Sequence, residues 1–145
     1  MIALALMALA VFVAPSAAQA CRVMIPVEKR IAQAYENGST IAVAMVEIED
    51  AEHIREPMAD THPWKARARV VLHVWGEAAL PETVEFERGW GSAACEWALP
   101  PLPQAGERWI VYLFRGIDGE LHPWMALSGD EAVRFDPANF GELPG

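Results

Sequence analysis

Two cysteines, Cys21 and Cys95, carry the reactive chemistry that most constrains this 145-residue chain. Cys21 closes the stretch "AAQAC" directly after an apolar run, so cleavage before it would make a cysteine the new N-terminus. Three chemistries are open to such a residue: acylation as a lipid anchor, oxidation to a disulfide, or metal chelation through its free amine and carbonyl. In an oxidising compartment, a single pair of cysteines in a small domain is most simply one disulfide. That bridge would close a loop of about 70 residues, worth about 4 kcal/mol in the chain-entropy treatment before native strain is subtracted. Lipidation would consume the same thiol and leave Cys95 unpaired, so these two outcomes exclude each other.

Other reactive residue types are scattered. His53 and His62, with Asp60 between them, share one polar stretch and His122 lies far away. This spacing matches no compact zinc motif such as H-E-x-x-H, and the histidines read as solvated loop residues. Ser92 in "GWGSAAC" lacks the glycine two residues on that a nucleophile elbow requires, and Ser128 in "ALSGDE" reads as a turn or cap. There is no P-loop and no dinucleotide fingerprint. The chain is therefore expected to bind rather than catalyse, and to need no cofactor. Lys65, Arg67 and Arg69 form a basic stripe that reads as a solvated outer strand face. Of six tryptophans, Trp109 falls in an apolar run and reads as core. Trp90 and Trp97 flank Cys95, where they either pack on a sulfur bridge or offer flat apolar surface to a protein or a sugar ring.

Residues 2 to 13, "IALALMALAVFV", are too few to span a bilayer as a helix. Pro15 breaks the run, and Ala18-Gln19-Ala20 supplies the small-x-small pattern of a signal-peptidase site, although only the Met1 amine serves as a positive n-region. Residues 1–20 thus read as an export signal, and 21–145 as one secreted or periplasmic domain, expected to be a monomer. A formal net charge of -9 argues against nucleic-acid partners, which need phosphate neutralisation, and against anionic lipid surfaces. Membrane attachment is expected only if Cys21 is lipidated.

The elements that must position these groups follow from periodicity. "IPVEKRIAQAYENGS" predicts a short helix, with Pro26 at its first turn, Val27, Ile31 and Tyr35 on one face, and Asn37-Gly38 ending it. "TIAVAMVEIE" then reads as a strand, followed by a long polar loop, "DAEHIREPMADTHP". "WKARARVVLHVWG" alternates, placing Ala66, Ala68, Val70, Leu72 and Val74 on one side and Lys65, Arg67, Arg69, Val71, His73 and Trp75 on the other. "ETVEFER" is a third strand with Val84 and Phe86 inward, and "ERWIVYLFRG" a fourth, apolar on both faces and therefore central. "GELHPWMAL" and "EAVRF" read as shorter strands, Pro123 marking an edge or a break. The expected fold is mainly β: a small antiparallel Greek-key barrel of OB-fold type with one short N-terminal helix, pattern alone not separating barrel from sandwich.

The order of these features is an N-terminal Cys near a Pro, a helix ending at "YENGS", strands "IAVAMVEI" and "ARVVLHVWGE", a Cys in "SAACEW", and "GERWIVYLF". It resembles the netrin-like, TIMP-like (tissue inhibitor of metalloproteinases) group of secreted OB-fold domains in compact bacterial form. The resemblance implies a mechanism in which Cys21 chelates a partner protease's zinc through its amine and carbonyl. Cys95 would be its disulfide partner and Arg22 the side chain offered to the S1′ pocket. Ala93, Ala94 and Glu96 would complete the contact ridge. The chain departs from the group's pattern at Val23, which replaces a second cysteine, and at Arg22, which replaces a small polar residue. The expected function is thus an exported binding module, in its sharpest form a metalloprotease inhibitor. The alternatives are a cell-envelope structural domain or lipoprotein anchored through Cys21, and a glycan-binding module using Trp90 and Trp97.

Overall fold

A computed structural model describes residues 25–54, 63–89 and 101–141. The chain enters through α1 (Val27–Glu36), whose Ile31 and Ala34 are buried while Glu28, Lys29 and Arg30 face water. Pro26 is the residue before the first helical turn, one position earlier than the periodicity predicts. Gly38 ends the turn in a left-handed conformation (φ 70°) that L side chains disfavour.

Five strands follow: β1 (Ala42–His53), β2 (Trp64–Gly76), β3 (Thr83–Arg88), β4 (Arg108–Arg115) and β5 (Leu121–Ser128). They form one sheet in the order β3-β2-β1-β4-β5, every pair antiparallel. The first three strands make a meander and β4 returns beside β1, which is the Greek-key connection expected from the sequence. β3 and β5, at the two ends of the order, approach each other without pairing, so the sheet curls into a barrel-like form left open along one seam. β4 is central and buried on both faces, and β5, with Pro123, is an edge strand, both as expected.

Alternation sends one set of side chains inside the curl. Ala42, Ala44, Val46 and Ile48 of β1, Trp64, Ala66 and Ala68 of β2, Val84 and Phe86 of β3, and Trp109, Val111 and Leu113 of β4 form this core. Small alanines on β1 and β2 leave room for an aromatic trio. Trp64 lies edge-on to Trp109 with centroids 5.4 Å apart, and Phe86 stands 5.9 to 6.1 Å from both. Removing a buried ring of this size costs about 3–5 kcal/mol.

A second core lies on the outer face. Val43, Ile110, Tyr112 and Leu127 point away from the interior and are covered by Ile31 of α1, by α2 (Gly129–Phe135) and by α3 (Pro137–Phe140), whose Phe140 is 1% exposed. The segment "EAVRF" is therefore helical and not a strand. Ser128 begins α2 with a reciprocal capping box: its hydroxyl accepts from the Glu131 N–H, and the Glu131 carboxylate accepts from the Ser128 N–H. The cap expected at Ser128 is present.

Two other expectations are corrected. β1 runs on to His53, because Asp50 to His53 keep pairing with Trp64 to Arg67. In β2, extra residues at Val71 and Val74 interrupt the register with β1. A β-bulge shifts the alternation by one, so Leu72 lands opposite Met45 on the outer face, 52% exposed, and Val74 packs with the outer core.

Candidate interaction site

The residues expected to form the contact ridge, Cys21, Arg22, Ala93, Ala94, Cys95 and Glu96, lie outside the described residues, as do Trp90, Trp97, Ser92, Asp60 and His62. The structure gives the scaffold from which they depart. The N-terminal segment leaves through α1, and the segment bearing Cys95 leaves through the end of β3.

β3 and α1 both contact the same element, α2. Arg88, the last residue of β3, makes a two-point ion pair with Glu131 of α2, at 2.7 and 3.3 Å, with both side chains 19% exposed. The guanidinium also lies over the Trp109 ring, 5.6 Å from its centroid. Glu131 holds the α2 cap as well, so one carboxylate serves both the helix start and the unpaired β3–β5 seam. α2 in turn packs against α1.

The helix layer is secured by a buried polar cluster. Asp136 is 6% exposed, and its Oδ2 accepts hydrogen bonds from the Tyr112 hydroxyl at 2.9 Å and the Tyr35 hydroxyl at 3.1 Å. Asn139 donates to Oδ1 at 2.9 Å. Burial, followed by the Asp136 charge and hydrogen bond, pushes both phenols well above the usual tyrosine range. A carboxylate ringed by neutral donors with raised pKa values joins α1, β4 and the C-terminal helices.

The basic stripe of β2 lies on the outer face between two acidic rows. Lys65 pairs with Glu52 at 2.9 Å, Arg69 with Glu47 at 3.0 Å, and Arg67 with Glu49 at 3.5 Å. On the other side, Glu87 stands opposite Lys65 and Glu85 opposite Arg67. A shallow groove of about 240 Å³ runs along these residues. Each of these cations faces an acid of a neighbouring strand, and the stripe is solvent-exposed. His53 is exposed at the end of β1, and His122 pairs with Asp118 at 2.7 Å in the β4–β5 turn.

Sequence reasoning missed Asp136, Asn139, Arg88 and Glu131. Only the Ser128-x-x-Glu131 spacing gave a readable signal, as a capping box.

Comparison of the chain with protein families, curated proteins and solved structures finds no match.

Proposed function

We propose that this chain is an exported, non-catalytic binding module of netrin-like type, with its contact surface at the N-terminal ridge formed by Cys21, Arg22, Ala93, Ala94 and Glu96. The observation that supports the reading is that the elements flanking the two cysteine-bearing segments both contact α2: Arg88 at the end of β3 pairs with Glu131, and α1 packs on α2. Cys21 lies four positions before Ile25 and Cys95 six positions after Gly89, allowing reaches of about 14 and 20 Å in extended chain. A Cys21–Cys95 disulfide would then preorganise the terminus and lower the ordering cost of binding.

The partner this terminus fits is a zinc metalloprotease. A catalytic zinc keeps one position open for water. An α-amine with a pKa of about 7.7–8.0 becomes neutral near pH 7 at a cost of about 1 kcal/mol, and then amine and carbonyl close a five-membered chelate that displaces the water. Arg22 beside it selects a deep or acidic S1′ pocket.

The test is the intact mass of the natively purified exported protein with and without reductant, together with its N-terminal sequence. A chain starting at Cys21, two hydrogens lighter before reduction, is the expected result, and inhibition of a metalloprotease panel by that material the expected consequence. A diacylglycerol-modified terminus would make the protein an anchored envelope domain, and a start elsewhere than Cys21 would remove the chelating group altogether.

A further inference from the structure

On the outer face, beyond the C-terminal end of α1, lies a concavity of about 520 Å³ bounded by Gly38, Ser39, Ile41, Phe114, Arg115 and Trp124. Its volume is in the range of small-molecule sites. Space above Gly38 is open, with no atom within 4 Å of where a Cβ would stand.

Both aromatic walls are held from behind. The Trp124 indole N–H donates to Thr40 Oγ1 at 3.0 Å, Thr40 is 1% exposed, and the Tyr112 ring backs the indole at 5.9 Å. Phe114 leans on the His122 ring at 5.8 Å, and His122 is pinned by Asp118. The rings are therefore positioned before any ligand arrives, which lowers the entropy cost of binding.

Arg115 supplies the charge. One guanidinium N–H donates to the Gly119 carbonyl, and no carboxylate of the described residues lies within ion-pair distance of the group. The cations of β2 each face acids instead. Among the described residues that line the concavity Arg115 is the one that is charged, in a chain of net charge -9. A guanidinium with free donors beside two fixed aromatic faces suits a carboxylate attached to a flat apolar body.

We infer that this concavity is a binding site for a small aryl or indolyl carboxylate, with the carboxylate on Arg115 and the ring against Trp124 and Phe114. The site uses none of the ridge residues, and it stands or falls separately from the inhibitor reading. The experiment is a backbone and indole NMR titration of the folded, processed protein with 3-phenylpropionate, beside 3-phenylpropionamide and a short peptide ending in phenylalanine. The acid is expected to shift the Trp124 indole and the amides of Ser39 and of 114–119, and the amide to bind about tenfold more weakly. Arg115→Gln and Phe114→Ala should each weaken the acid about tenfold with the remaining spectrum unchanged. Equal binding of acid and amide, shifts confined to other surfaces, or full affinity in both variants would overturn the proposal. Tighter binding of the peptide than of the free acid would also overturn it, by making the natural ligand a protein C-terminus.

Discussion

At the residue scale, Asp136 is the shared acceptor of the helix layer. It accepts from two phenols and an amide while almost fully buried. Removing an acceptor and removing one of its donors are not equivalent. Asp136→Ala strands two hydroxyls and an amide at once, whereas Tyr35→Phe leaves the carboxylate with two other donors. The buried-group penalty then sets the order: about 3 kcal/mol or more for Asp136→Ala, and about 1 kcal/mol for Tyr35→Phe. Urea unfolding at neutral pH measures both, and equal losses would show that the cluster is not shared through the carboxylate.

At the scale of elements, α2 illustrates both what the sequence reveals and what it conceals. "EAVRF" places Val133 and Phe135 two apart, and that spacing reads as a strand. The competing signal is the serine-to-glutamate spacing three residues apart at Ser128 and Glu131, and in the folded chain the capping box prevails. Ser128→Ala should therefore cost about 1 kcal/mol in thermal or urea unfolding. Glu131 has the further task of holding Arg88, so a cycle of Arg88→Met and Glu131→Gln should return a coupling of about 1–2 kcal/mol, well above that of an exposed pair. A coupling near zero would mean that the β3–β5 seam is held by packing alone. Strand identity was legible because period-two patterns in "ETVEFER" and "ARVV" report burial directly. The bulges at Val71 and Val74 were not, since an inserted residue changes the face of Leu72 without changing composition. The Phe114–Arg115–Trp124 concavity was equally hidden, because its walls come from two strands and a helix-ending turn that meet only through the sheet order. The expected cysteine ridge rests on resemblance and lies outside the described residues.

For the molecule as a whole, the large acidic excess is spread over the surface, and its pairs with β2 are exposed, so each contributes less than about 1 kcal/mol and salt should move the stability little. pH acts elsewhere. The chain has two tyrosines, and both donate to Asp136. Their folded pKa values lie above that of a free phenol, so above pH about 10 the unfolded chain gives up phenolic protons that the folded chain retains. Fewer protons on the unfolded state mean that stability is complete below pH 10 and falls as the pH rises further. Each tyrosine removes up to about 1.4 kcal/mol per pH unit, less for Tyr35, which is partly in contact with solvent. Because no third tyrosine contributes, tyrosinate absorbance reports this cluster alone. The expected alkaline titration shows no tyrosinate while the fold persists beyond pH 10, then both chromophores appearing together with loss of the tryptophan circular dichroism. Either tyrosine ionising near pH 10 with that signal intact would show that the Asp136 cluster is open to water, and that the helices do not seal the outer face of the sheet.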